Sequence, residues 1–321
     1  MTTILISSAG RRVGLIECWR DAATRLGIEL SVLAADVDAA TSAACHVADE
    51  RFSVPRCDSP GYIDAVLEIC RTHGVDLVVP TIDTELQVLS DNASRFADIG
   101  TAVHVSDPLT IQIVRDKART MQVLADHGLP VPRTASPEDV RRKPDAWKWP
   151  LFLKPRGGSA SRGLKRIRTP DEIPDVSDEP VILQEFFDGP EFTINAFVDP
   201  AGHLRCAIPH ERLRVRAGEV EKGITRRDET LEQFASAIVQ ALPGLRGVFC
   251  FQVIVDPDRG PGIIEINARF GGGYPLADRA GARFCQWILE ELTNRPSSAG
   301  NDWTENIMMI RFDHAVYLEN A

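Results

Sequence analysis

The sequence predicts two fold classes in series, a doubly wound α/β sheet over residues 1–107 and an α+β portion over residues 108–321. Three observations carry this. Short β-branched runs alternate with helical periods in the first part. Hairpin-like strands outnumber helices after Asp107-Pro108. Between them, "LFLKPRGGSASRGLKRI" (151–167) sets a strand lysine, Lys154, at the mouth of a glycine- and serine-rich loop.

In the first part, "TTILISS" (2–8), "LSVLAAD" (30–36), "DLVVPT" (76–81) and "AVHVS" (102–106) read as buried strands. Helical periods over 15–27, 61–73 and 84–97 separate them, and that alternation implies parallel strands with crossover helices. In the second part, helices are expected over 109–114 and 116–127. Pro130 and Pro132 prevent any continuation beyond His127-Gly128. Strand, loop and strand surround Lys154, and a linker rich in Asp, Glu and Pro covers 169–180. Strands over 181–187, 191–199, 204–216, 248–256 and 262–270 and a helix over 228–241 complete the reading. The expected division is 1–107, 108–183 and 184–321.

The 321 residues are 44% hydrophobic and 26% charged, the composition of an ordinary globular chain. A net charge of -10 with no basic run argues against nucleic acid as a partner, because phosphate contacts need clustered cations. The seven cysteines form no C-x-x-C pair, which suits reduced thiols. "MTTILISSAG" is too short for a leader's apolar core, and its arginines follow rather than precede it. No apolar stretch is long enough to span a membrane. The expectation is a cytoplasmic protein with no membrane partner.

Three constellations bear on chemistry. "SSAGRRVG" follows the first strand, as phosphate-binding turns do, and Asp36 ends the second strand where a ribose contact would suit it. Its spacing is Gly10-x-x-x-Gly14 rather than G-x-G-x-x-G, which disfavours a nicotinamide site. "QVIVDPDRGPGIIEINAR" places Gln252 on one arm of a hairpin and Glu265 and Asn267 on the other. The last two share a strand face, which Arg269 would continue. One carboxylate with amide oxygens is a hard-oxygen set suited to Mg²⁺ or Mn²⁺, and Arg269 could bind a phosphoryl oxygen. "QEFFDGPEFTI" runs a strand into an Asp188-Gly189-Pro190 turn, with Glu191 opening the next strand. Each feature alone also reads as a plain turn, hairpin or solvated face.

Taken together, the strand lysine before a glycine loop, the "GPEF" hinge and the "E-x-N" hairpin end resemble the ATP-grasp superfamily. The nearest likeness is to its carbamoyl-phosphate-synthetase-like members, in which an "SAGRR" start and an "EINxRFGGGYPL" segment recur. The resemblance implies a small sheet domain ahead of a two-lobed ATP-grasp fold. It implies that Lys117 and Lys154 contact the α- and β-phosphates and that the loop carrying Gly158, Ser159, Ser161 and Gly163 folds over the triphosphate. Gln184 stands where the family usually has a hinge glutamate, with backbone contacts to adenine from Glu185 and Phe187. Glu191 would hold the ribose, and Gln252, Glu265 and Asn267 one or two Mg²⁺ ions. Gln at the first metal position matches the carbamoyl-phosphate-synthetase type. Arg269 corresponds to the arginine that steadies the transferred phosphoryl group.

The substrate side is less defined. "ERLRVRAGEVEKG" (211–223) alternates, which places Arg212, Arg214 and Arg216 on one expected strand face. That face is either solvated or an anchor for an anionic group, and Arg214 and Arg216 recur in the resembling proteins. Gly271 and Gly272 allow backbone amides to approach an anion. Asp83 and Glu85 in "TIDTE" either bind a substrate ammonium or open a helix. The implied function is an ATP-dependent carboxylate–amine ligase acting through an acyl phosphate, with Arg269, Lys154 and Arg216 as catalytic residues. ATP and Mg²⁺ are its expected cofactors, a small carboxylate and an amine its partners, and a homodimer is compatible with it. The alternatives are a phosphotransferase making a free acyl or carbamoyl phosphate, a nicotinamide-dependent oxidoreductase, and a nucleotide-binding module without turnover.

Overall fold

The computed structural model of the chain describes residues 1–157, 163–175 and 177–318. The first sheet is parallel and comprises β1 (Thr2–Ser7), β2 (Leu30–Asp36), β3 (Glu50–Ser53), β4 (Leu77–Pro80) and β5 (Ala102–Val103) in the order β3-β2-β1-β4-β5. Around it lie α1 (Val13–Leu26), α2 (Ala43–Val47), α3 (Tyr62–His73), α4 (Asp83–Asp91) and α5 (Ala93–Ala97). Every residue of β1 is buried because both faces are covered. Ile4 and Ile6 pack with Leu15, Ile16 and Trp19 of α1. Leu5 packs with Ile63, Val66 and Leu67 of α3.

Helices α6 (Pro108–Val114) and α7 (Lys117–Asp126) lead into a smaller unit formed by β6 (Thr134–Ala135), α8 (Pro137–Arg142), β7 (Leu151–Pro155), β8 (Lys165–Ile167) and β9 (Val181–Glu185). Its strands form an antiparallel sheet in the order β6-β9-β7-β8, over a core of Val140, Trp147, Leu151, Ile167 and Leu183.

The last sheet has six antiparallel strands. Its elements are β10 (Glu191–Val198), β11 (Leu204–Arg216), β12 (Glu219–Thr225), α9 (Glu229–Ala241), β13 (Gly247–Asp256), β14 (Gly260–Asn267), α10 (Tyr274–Arg279), α11 (Phe284–Leu292) and β15 (Met308–Ile310). The strand order is β14-β13-β10-β11-β12-β15. Period-two alternation sorts its faces. Ile194, Ala196, Phe251 and Val253 pack against Leu231, Ala235 and Ile238 of α9. On the other face Phe197, Ile208 and Val248 join the same core as α1, α10 and α11. Trp19 of α1 meets Phe270 edge-on at 6.2 Å, so the parallel sheet and the large sheet share one apolar interior.

Several elements differ from the sequence reading. The helix expected over 84–97 breaks at Asn92, whose side chain donates to the Val88 carbonyl at 2.8 Å and competes with the helical ladder. The strand expected over 102–106 shortens to Ala102–Val103 at the sheet edge, and Asp107 then caps α6. Strands β3, β6, β12 and β15 and helices α2, α8, α10 and α11 were not anticipated. Most are short, and β12 hides its strand period behind three charged residues and a glycine. Asp36 does not stand free for a ribose. Its carboxylate accepts from the backbone N–H groups of Gly10 (2.6 Å) and Val37 (2.7 Å).

Gly189 lies between β9 and β10, where the two sheets meet. A Cβ there would lie 2.1 Å from the Val255 carbonyl oxygen, far inside van der Waals contact distance. We expect Gly189→Ala to destabilise the chain by about 1–3 kcal/mol through this overpacking. The shift should appear as a lower urea midpoint, and an unchanged midpoint would refute the close approach.

Candidate active site

A cleft of about 250 Å³ separates the small sheet from the large one. Lys154 on β7 is 6% exposed, and its Nζ donates to the Ile264 carbonyl on β14 at 2.8 Å. Burial lowers its pKa to about 8, with Glu265 opposing and Lys117 reinforcing the shift. Lys117, the first residue of α7, places Nζ 3.3 Å from Glu265 Oε1. The start of α7 is tied to the loop after β7 by a two-pronged contact from Arg156 to Asp116, at 2.8 and 2.6 Å. Gly163 sits beside Pro155 at the loop's exit, with a φ of +67° and its neighbour Leu164 lining the cleft. Gly158, Ser159 and Ser161 lie outside the described residues.

The hinge side of the cleft is formed by Gln184, Glu185, Phe186 and Phe187. Gln184 Nε2 donates to Thr134 Oγ1 at 2.8 Å, so this side chain is already engaged within the small sheet. The Glu185 N–H donates to the Arg133 carbonyl at 3.0 Å, which leaves any hinge contact from that residue to its carbonyl. The Phe187 ring lies under Gly262, where any Cβ would overlap it.

The floor of the cleft follows from sheet register. Glu265, Gln252, Thr193, His210 and Thr225 are successive cross-strand partners, so one polar row crosses β14, β13, β10, β11 and β12. The next row on the same face holds Asn267, Cys250 and Asn195. Gln252 bridges two charges. With its amide nitrogen 3.2 Å from Glu265 Oε2, its oxygen accepts from Arg212. Arg212 also stands 3.0 Å from Glu191, whose pKa is raised by burial and held back by that guanidinium.

The three arginines of β11 do not share a face. The pairing with β12 shifts register between Arg212 and Arg214 and again before Val215, and each irregularity rotates the alternation. Arg212 and Val215 line the cleft. Arg214 points outward to Glu221 at 2.8 Å and lines none of the site's cavities. Arg216 pairs with Asp313, stands 3.8 Å from Glu221 and does not line the cleft.

Beyond the polar rows the cleft opens into a junction chamber of about 270 Å³, sharing Arg212, Gln252 and Glu265 with it. Arg269 lies there, past the end of β14 rather than on its strand face. It meets Asp83 Oδ2 at 2.5 Å and Asn267 Oδ1 at 3.4 Å. Burial alone would lower the Arg269 pKa, and the Asp83 carboxylate more than offsets it. Asp83 is therefore a counter-ion to an arginine rather than a free site for an ammonium. Glu85 is fully buried and also has no room for a substrate. It accepts from the N–H groups of Thr81 (2.8 Å) and Ile82 (3.1 Å), from Tyr62 OH (2.7 Å) and from Ser8 Oγ (2.8 Å).

An outer chamber of about 540 Å³ continues from the junction, sharing Arg12, Glu219, Gly271 and Gly272 with it. The "SAGRR" turn after β1, β12 and the segment through Arg311 to Asp313 enclose it. The glycines after Phe270 are required by close approach. A Cβ at Gly271 would meet Cys250 Sγ at 3.1 Å, and one at Gly272 would overlap the Glu219 carboxylate. Arg12, Arg212, Thr193, His210 and Arg311 were given no individual role from sequence. The alternation of Glu191, Thr193 and Asn195 along β10 was the available signal for the polar face.

Two family models match the chain: a PylC-like N-terminal domain over residues 4–104 and an ATP-grasp domain over residues 114–273. The chain belongs to the ATP-grasp family. It is 22% identical over 309 residues to a phosphoribosylamine–glycine ligase of Xylella fastidiosa, covering 84% of this chain and 68% of that one. It is 25% identical over 219 residues to a D-alanine–D-alanine ligase of Stutzerimonas stutzeri, covering 60% and 68%. The N5-carboxyaminoimidazole ribonucleotide synthetase of Thermotoga maritima superposes with a TM-score of 0.68 at 20% identity, over 94% of this chain and 78% of that one. The chain is thus an ATP-grasp ligase, a class that forms C–N bonds with cleavage of ATP to ADP and uses Mg²⁺. Among the described residues, no helix is long and apolar enough to cross a membrane, and no three His, Cys, Asp or Glu side chains converge as a metal cluster.

The depressed Lys154 pKa gives a pH signature. MgADP affinity should be greatest below about pH 8 and fall up to tenfold per pH unit above it, as the buried ammonium discharges. Calorimetry on Lys154→Met should show weaker binding without that component. An identical pH profile in the variant would remove Lys154 from the phosphate contacts.

Proposed function

We propose that the cleft binds Mg-ATP, and that the junction chamber is where a carboxylate is activated and passed to an amine entering from the outer chamber. The observation that carries this is the convergence of Lys117, Lys154, Glu265, Asn267 and Arg269 where the cleft meets the second cavity. Glu265 and Asn267 offer a carboxylate and an amide oxygen from one face of β14, a set that fits Mg²⁺ sharing its remaining positions with phosphate oxygens and water, and Gln252 would join them by turning its amide oxygen from Arg212 toward Glu265. When bound, the ion supplies charge neutralisation at the phosphates.

A carboxylate oxygen attacks the γ-phosphorus, the bond to the β,γ-bridging oxygen breaks, and ADP leaves. The amine nitrogen then attacks the acyl carbon, loses a proton, and expels phosphate to leave the amide. Lys154 and Lys117 hold the phosphate chain, and Arg269, oriented by Asp83, faces charge developing on the transferred group. Glu191 and the hinge from Gln184 to Phe187 hold the nucleoside. Arg216 fits the outer, substrate-facing chamber rather than the phosphoryl group.

ADP release from Mg-ATP, followed across amino acids and small carboxylates offered singly and in pairs, tests this. Turnover that needs two substrates supports the ligase. Hydroxylamine should divert the reaction to a hydroxamate, and its failure to do so during turnover would remove the acyl phosphate. Glu265→Ala should abolish Mg²⁺-dependent turnover with an unchanged melting temperature, and retained turnover would refute the metal role. Asp83→Asn should lower kcat at least tenfold with little change in KM for ATP, because it loosens Arg269 without touching the nucleotide.

A further inference from the structure

His210 stands in the middle of the polar row, 1% exposed, with no part in the steps above. Its neighbours are Thr193 and Asn195 on β10, Arg212 on its own strand, Gly223 and Thr225 on β12, and Gly273 across the junction chamber. Asn195 Nδ2 faces His210 Nδ1 at 3.3 Å. An amide donor at Nδ1 requires a lone pair there, so the proton of the neutral ring sits on Nε2. Among the described residues that Nε2–H has no partner, and burial together with Arg212 and Arg311 lowers the imidazole pKa to about 3. The ring is a neutral donor at any ordinary pH.

Arg212 and Arg269 line the same chamber, and among the described residues the buried Nε of each also lacks a partner. Buried donors are paired in nearly all native structures, so three unpaired ones around a cavity point to a ligand bearing several acceptor oxygens. Arg12, Arg212 and Arg269 face Asp83, Glu219 and Glu265, three cations against three anions. A neutral imidazole donor beside two guanidinium groups matches the acceptor oxygens of a carboxylate. We propose that His210 is a substrate-binding residue whose Nε2–H donates to an oxygen of a small organic carboxylate held in the junction chamber. This rests on the ligase reading and assigns it a carboxylate-recognising residue that the phosphate and metal roles do not require.

The test uses the full chain with acetate, glycine, L-alanine and L-glutamate as probes, each in the presence of saturating MgADP. In the wild type, at least one probe should move the His210 Nε2 resonance in a histidine-labelled nitrogen NMR spectrum. That probe should bind about tenfold or more weakly to His210→Phe, which keeps a ring but has no donor. His210→Gln, which restores an N–H, should lie between, and MgADP affinity should be the same in all three. Equal probe affinity in His210→Phe overturns the assignment, as does a His210 resonance that none of the probes moves. The second readout needs no variant, so it holds if His210→Phe fails to fold. If the wild type does not bind MgADP, the ligase reading itself falls, and the carboxylate assignment falls with it.

Discussion

The contact between Arg269 and Asp83 joins two parts of the molecule that have no common backbone. Asp83 opens α4 behind the parallel sheet, and Arg269 follows β14 at the end of the large sheet. Both side chains are largely buried, at 13% and 8% exposure. Removing one partner of such a pair typically costs about 3–5 kcal/mol, because the other charge is left desolvated. The geometry of the junction chamber therefore depends on the parallel sheet being docked. The shared apolar core of Trp19, Phe270, Tyr274 and Phe284 supplies that docking.

Around that pair the site keeps its charges in balance. Arg12 is held below its usual pKa by burial and by the neighbouring Arg269, and Glu219 at 3.7 Å partly compensates. Lys117 is matched to Glu265, and Arg212 to Glu191. Each pairing keeps a reactive group in place before any ligand arrives, so the transition-state charge meets oriented dipoles rather than reorganising ones. Lys154 is the exception: among the described residues its ammonium donates to the Ile264 carbonyl, and burial lowers its pKa. A phosphate oxygen would be a better partner than Ile264 O.

The large sheet performs two tasks because a strand has two faces. The odd positions of β10, from Glu191 to Asn195, are polar and face the cleft, while Phe192, Ile194 and Ala196 belong to the core with α9. Three consecutive cavities along the polar face share walls, and in the proposed reaction they would serve the nucleotide, the reacting groups and the incoming substrate in turn. This continuity is what a two-step ligation needs, since the activated intermediate never has to leave the protein.

Much of this was legible in the residues. The parallel strands, the lysine on β7 and the shared face of Glu265 and Asn267 depend on periods of two and 3.6, which are local and survive without knowledge of partners. Other features were not legible. The two register shifts in the β11–β12 ladder turn Arg214 to solvent and bring Arg212 inward, although unbroken alternation treats them alike. Asp83 and Arg269 are 186 residues apart, and nothing near either one names the other. Glu85 read equally as an ammonium contact at the ligand edge of the sheet or as a helix start; it lies in the first turn of α4, and four donors from three segments enclose it. The sequence by itself determined the main parallel strands, their crossover helices and the shared face of Glu265 and Asn267, because these follow from short-range stereochemistry and hydrophobic spacing. The tertiary structure alone decided which polar groups meet. Sheet register, bulges and docking set distances between residues remote in the chain, and no local pattern records them.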